Sequence, residues 1–218
     1  MIESVRIAAF CSGSASSLRF LREKDPNCGV RYRFVGVFSD VPGCSGIAYA
    51  RRADIPTTTL DFKEWCTRHE IRRTDLEGRK AFFDEVLRLL MPWEPEAIML
   101  SGFMLILTEP LLSAFEGCTV NVHPALLRLL DAVGRRKYTG LNVVARTMAA
   151  GDLLGSTVHI VTKEPDTGPL VAESESYPYR PDDKPDDVQE AMKEKCDGPA
   201  YQRAFERLIP AGWPRVPW

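Results

Sequence analysis

Nothing in this sequence supplies a zinc knuckle, a disulfide scaffold or a membrane helix. Six cysteines are spread over 218 residues, at 11, 28, 44, 66, 118 and 196, with no CxxC pair and no Cys/His cluster at zinc spacing. So wide a scatter reads as reduced thiols, buried or incidental, and no metal site is expected. No apolar run approaches the ~18 residues that a membrane helix needs. The apolar stretch near the N-terminus is short, preceded by Glu3 and interrupted by Arg6, which suits a buried strand rather than a secretory signal. An excess of positive charge is missing as well: 28 Lys+Arg against 30 Asp+Glu give a formal net charge of −2. Without a global basic field, nucleic acid is not an expected partner. Repeats and low-complexity tracts are absent. Histidine is scarce, with His69, His123 and His159 the only three. The expectation is a cytoplasmic protein with no membrane partner.

What is present is ordinary globular composition, 44% hydrophobic and 27% charged. The length suits one α/β domain, placed at 1–210, with 211–218 (Ala-Gly-Trp-Pro-Arg-Val-Pro-Trp) as a tail extended over the surface. Apolar runs predict strands at Val5–Cys11, Arg33–Ser39, Ile55–Leu60 and Ala97–Leu100. Between them, helices are predicted at Ser17–Glu23, Gly46–Arg52 and Glu77–Met91. The last carries Phe82, Val86, Leu87 and Leu90 at helical spacing and ends at Pro92. Strands alternating with helices argue for βαβ units and a mostly parallel sheet, with ligands beyond the carboxyl ends of its strands. A last helix is expected at about Val188–Ile209, its N-cap at Asp186 or Asp187.

Three motifs carry chemistry. Cys11-Ser-Gly-Ser-Ala-Ser-Ser17 joins the first strand to the first helix. Small residues there let backbone N–H groups approach an anion, or simply make a tight turn with serine caps. In Cys118-Thr-Val-Asn-Val-His-Pro124, the period of two in a strand puts Asn121 and His123 on one face. An Asn amide can donate to an oxyanion and a protonated His can stabilise it or move a proton; the alternative is a structural histidine at a strand end. In Gly155–Pro169, an alternating strand runs to Thr162 and a turn presents Asp166 ahead of Gly168. A carboxylate beside a histidine raises its proton affinity and holds its orientation; the plain alternative is an Asx-turn between two strands.

Together these segments resemble the glycinamide ribonucleotide formyltransferase family. The likeness runs from Arg6-Ile-Ala-Ala-Phe-Cys-Ser-Gly-Ser through Ser101-Gly-Phe-Met-Leu-Ile-Leu and Val120-Asn-Val-His-Pro-Ala-Leu-Leu. It continues in Lys137-Tyr-Thr-Gly-Leu, Gly151-Asp and Gly155-Ser-Thr-Val-His-Ile-Val-Thr, and ends in Asp166-Thr-Gly-Pro169. The resemblance implies a Rossmann-like, mostly parallel twisted sheet flanked by helices, the formyltransferase fold. It implies transfer of a formyl group from 10-formyltetrahydrofolate, a co-substrate, to a primary amine, with glycinamide ribonucleotide the first choice. Asn121, His123 and Asp166 would be catalytic. Phe103, Met104, Ile106, Leu107 and His159 would serve the folate side, His159 by supporting the catalytic cluster. Ser14, Ala15, Ser16 and Ser17 would bind the substrate phosphate. The chain would act as a monomer or homodimer on a small amine and folate.

Four departures from the family pattern stand out. The phosphate loop reads Ala15-Ser16-Ser17 where Gly-Ser-Asn is usual, and alanine restricts the backbone where glycine would not. Leu105 replaces an arginine. Asp197, in Lys195-Cys-Asp197, stands nearest to a glutamate that the last helix usually supplies. Finally, 128–137 is an insertion made basic by Arg135, Arg136 and Lys137. It reads as a solvated charge run, or else as a lid, mobile without ligand, that recruits an anion. The departures spare the transfer centre and touch the acceptor site, so another amine, such as an amino sugar nucleotide, is the second choice. Hydrolysis of 10-formyltetrahydrofolate ranks lower because the first strand begins almost at once. A folate- or nucleotide-binding protein without turnover is the non-enzyme alternative.

Overall fold

Seven strands form one sheet in the computed structural model, which describes residues 4–215. The strands are β1 (Val5–Cys11), β2 (Tyr32–Ser39), β3 (Thr57–Thr59), β4 (Ala97–Leu100), β5 (Thr119–His123), β6 (Thr157–Ile160) and β7 (Leu170–Glu173). Their order across the sheet is β3-β2-β1-β4-β5-β6-β7. Every pairing from β3 to β5 is parallel, while β5–β6 and β6–β7 are antiparallel. The helices are α1 (Ser16–Lys24), α2 (Ser45–Arg52), α3 (Phe62–Arg68), α4 (Leu76–Leu90), α5 (Leu111–Ala114), α6 (Val143–Ala150), α7 (Pro185–Met192) and α8 (Gly198–Leu208).

Alternation along β1 builds two cores. Ile7, Ala9 and Cys11 face one, with Leu18 and Leu21 of α1, Ile47 of α2 and Tyr201, Phe205 and Leu208 of α8. Ala8 and Phe10 face the other, with Phe62 and Trp65 of α3 and Phe82, Phe83 and Val86 of α4. A sheet buried on both faces explains why β1 and β4 read as continuous apolar runs. The strand order reverses between β1 and β4, so the crevice at their carboxyl ends is the natural ligand site of this topology.

The structure corrects several expectations. β3 spans only Thr57–Thr59, because it lies at the edge and has one neighbour to pair with. The single last helix is two, α7 and α8, joined by a π-helical turn at Lys193–Asp197. It begins earlier than expected, with Lys184 as N-cap and Pro185 in the first turn, so Asp186 and Asp187 lie inside the helix at its positive end. The tail does not run over the surface as far as it is described. Trp213 is buried, stacks on Phe205 at 6.0 Å and donates its indole N–H to Gly117 O at 2.8 Å. Its ring joins the α8-side core, which is where so large an apolar group gains most. The remainder of the tail, 216–218, lies outside the described residues. No helix among the described residues is long and apolar enough to cross a membrane.

Candidate active site

β5 carries Val120 into the α8-side core and projects Asn121 and His123 from its opposite face. The antiparallel register with β6 sets His159 opposite Asn121 and Thr157 opposite His123. Beyond β6, the turn leading to β7 returns Asp166 to the same place. Four residues from two separate stretches of the chain therefore meet. Asn121 Nδ2 lies 3.2 Å from His159 Nε2, and Asp166 Oδ1 lies 3.5 Å from His123 Nδ1 and 3.6 Å from His159 Nε2.

The backbone assigns the imidazole protons. His159 Nδ1 is 2.9 Å from Ile160 O, and a carbonyl only accepts, so Nδ1 carries a hydrogen and Nε2 faces both the Asn121 amide and the Asp166 carboxylate. His123 Nε2 likewise donates to Tyr138 O at 2.9 Å, which leaves Nδ1 as the titrating atom, facing the Asp166 carboxylate. Burial pulls the His123 pKa below its ordinary 6.5, and the nearby Asp166 charge recovers only part of the loss. Burial pushes the Asp166 carboxyl up, but the contact with His159, the charge of His123 and the Gly140 N–H, which donates to Oδ2 at 2.8 Å, together hold it below the usual carboxylate range. The resting cluster at neutral pH is thus a neutral His123 beside an ionised Asp166.

Asp166 holds this place in a left-handed backbone conformation, φ 58°. Two residues on, Gly168 leaves no room for a side chain, since a Cβ there would sit 1.9 Å from Ile160 O. Thr157 anchors the chain that follows His123, donating to Ala125 O at 2.7 Å and accepting from Leu127 N–H at 3.0 Å.

The expected anion loop lies beyond β1. The N-cap residue Ala15 has no side chain to cap α1 and no acidic residue occupies the first turn, so this end of the helix is an electropositive terminus. Ala15 is left-handed, φ 50°, the conformation in which glycine would be at ease. Ser14 and Ser16 are half-buried, whereas the side chains of Ala15 and Ser17 are buried. Of the segment after β4, Met104 and Ile106 are exposed at 65% and 43%, while Phe103 and Leu107 belong to the α4-side core. Phe103 meets Phe10 edge-on at 5.3 Å, which makes it a support of this segment rather than an open wall. His159, buried under Asn121, is likewise a support of the cluster.

Sequence reasoning missed the bonds that tie these pieces together. Ser12 donates to Asp40 Oδ1 at 2.6 Å and accepts from Met104 N–H at 3.0 Å, and Ser101 Oγ accepts from Leu18 N–H at 3.2 Å. The anion loop and the segment after β4 are thereby joined. Asp40, its pKa raised by burial against the pull of Ser12, sits at that junction. Ser12 and Ser101 lie in stretches that the sequence marks, but their bonds do not show there, because each pairs with a partner distant in the chain. Asp197, singled out as a departure, accepts from Ser156 Oγ at 2.5 Å, and burial lifts its pKa to about 6. In the insertion, Arg135 fits a solvated charge, with its side chain 81% exposed. Arg136 does not: its guanidinium donates to the carbonyls of Asp166 and Gly168.

Residues 5–204 match the family model described as formyl transferase. Over 207 residues, 94% of its length, the chain is 31% identical to the trifunctional purine biosynthetic protein adenosine-3 of Drosophila melanogaster. It spans only 14% of that longer protein. It is 28% identical over 185 residues to phosphoribosylglycinamide formyltransferase of Escherichia coli, covering 84% of this chain and 78% of that one. The crystal structure of phosphoribosylglycinamide formyltransferase from Brucella melitensis superposes with a TM-score of 0.74 at 28% identity, over 94% of this chain and 95% of that one.

Proposed function

The chain belongs to the formyl transferase family, and from that premise we propose that it moves a formyl group from 10-formyltetrahydrofolate to the amine of glycinamide ribonucleotide, in one cytoplasmic domain. The observation that carries this reading is the meeting of Asn121, His123, His159 and Asp166 on one face of β5 and β6. Among the relatives, the E. coli and B. melitensis proteins bear that activity in their names and align along most of their length.

In this reading the amine lone pair attacks the formyl carbon and the carbonyl π electrons move onto oxygen. Asn121 donates to that oxyanion. His123 enters neutral at Nδ1 and takes up the proton shed by the amine. The resulting imidazolium faces both the oxyanion and Asp166, whose ionised carboxylate stabilises it. When the tetrahedral adduct collapses, the bond from carbon to N10 breaks and the proton passes to N10. The ledger closes with formyl-amine and tetrahydrofolate, and neither protein nor solvent supplies further atoms. The electropositive end of α1 suits the ribonucleotide phosphate, and Met104 and Ile106 offer apolar surface to the folate.

The test is spectroscopic turnover of 10-formyltetrahydrofolate with and without glycinamide ribonucleotide. Acceptor-dependent turnover is expected, and Asn121→Ala should lower kcat by about 10²–10³, the usual cost of losing one oxyanion donor. Folate turnover without acceptor would replace this reading with hydrolysis.

A further inference from the structure

Among the described residues, every basic side chain of the 128–137 insertion except Arg136 forms an ion pair with an acidic side chain. Arg128 pairs with Glu173 at 2.6 Å, Arg135 with Asp131 at 3.3 Å and Lys137 with Asp152 at 2.5 Å. Arg136 turns inward instead. One arm of its guanidinium donates to Asp166 O and the other to Gly168 O, the latter at 2.8 Å. We propose that Arg136 is a positioning residue for Asp166, its planar fork bracing both sides of the turn that aims the carboxylate at His123. The inference rests on the formyl-transfer reading and adds to it a device carried by the insertion.

The turn needs such a brace. A left-handed non-glycine residue is strained, and it persists only where its surroundings over-determine it. Gly140 N–H fixes the carboxylate from one side. Beneath the turn, Thr167 Oγ donates to Glu164 O at 2.8 Å. The carbonyl of the left-handed residue itself and that of Gly168, two residues on, are held by Arg136 alone among the hydrogen bonds of the described residues. The fork is itself held in place. Leu130 and Arg136 pair as an antiparallel bridge, Lys137 N–H donates to Leu129 O at 2.9 Å, and Asp131 accepts from the N–H groups of Val133 and Arg135 at 3.0 and 2.9 Å. A lysine cannot reproduce the geometry, since a single ammonium lacks two parallel donors on a rigid plane.

Arg136→Ala, Arg136→Lys, Arg136→Gln and, as a control, Arg135→Ala decide the matter in the full chain. Arg136→Ala should lower kcat by about 10–100-fold, the scale of an ångström of misplacement, with KM for both substrates within about threefold. Arg136→Lys should recover little of it, and Arg135→Ala should match wild type. Amide exchange at 166–168 should quicken in Arg136→Ala even if no substrate turns over, and Arg136→Gln supplies that reading if the alanine variant fails to fold. Unchanged exchange together with kcat within twofold of wild type overturns the inference. So does a loss carried entirely by KM, which would make Arg136 a substrate contact. A wild-type chain that fails to transfer formyl overturns the activity instead, and the exchange data then judge the brace separately.

Discussion

His123 and Asp166 are the residues on which the proposed chemistry turns, and their environments push them apart. His123 is buried enough to be neutral near pH 7, and Asp166 stays ionised. If His123 must begin without a proton on Nδ1, kcat/KM falls as the pH drops through its pKa. Because that pKa is depressed, the midpoint of the acid limb should lie below 6.5. Asp166 is the largest influence raising it, so Asp166→Asn should move the midpoint lower still while reducing kcat. A pH–rate profile of both proteins checks this; a midpoint that rises in the variant would remove Asp166 from its place beside His123. Asp166 itself titrates below the ordinary carboxylate range and does not interfere.

Among the elements, the break between α7 and α8 has the clearest consequence. A π-helical turn is rare and tends to occur where a side chain must be re-aimed. Here it brings Asp197 against Ser156, in surroundings that resist its charge. With its pKa raised to about 6, the folded chain binds a proton more tightly than the unfolded chain does. Stability therefore falls as pH rises from roughly 4 to 6 and is level above that. Asp197→Asn keeps an oxygen for the Ser156 hydroxyl and never ionises. It should be more stable than wild type at pH 7.5, by on the order of 3 kcal/mol, with the advantage gone near pH 4. Urea denaturation at the two pH values measures it, and equal stabilities at pH 7.5 would mean the carboxylate is well solvated. A residue that costs stability in its natural form is a candidate for function.

Across the whole molecule, one sheet with a core on each face holds α8 and the segment after it against the strands. Tyr201 of α8 donates to Leu100 O at 2.5 Å, at the carboxyl end of β4. Trp213 then fastens the segment after α8 over Phe205 and to Gly117. The last described residues are thus part of the body that carries the site. Trp213→Ala should cost about 3–5 kcal/mol, the usual range for deleting a fully buried tryptophan. A loss under about 1 kcal/mol in equilibrium unfolding would return the tail to the periphery.

While His159 and Asp166 entered through the family resemblance, the sequence by itself determined the parallel α/β plan and the pairing of Asn121 with His123. Both are local signals: β1 and β4 are continuous apolar runs whose bounds the structure reproduces, and a period of two fixes Asn121 and His123 on one face. Tertiary structure decided what depends on distant partners. The β5–β6 register placed His159 under Asn121, the core claimed Phe103, Leu107 and Trp213, and Arg136 left the solvent for two carbonyls thirty and thirty-two residues away. A charge run and a hydrophobic tail look alike in sequence whether they are solvated or buried, because burial is a property of what folds back against them. Chain order alone does not carry that information.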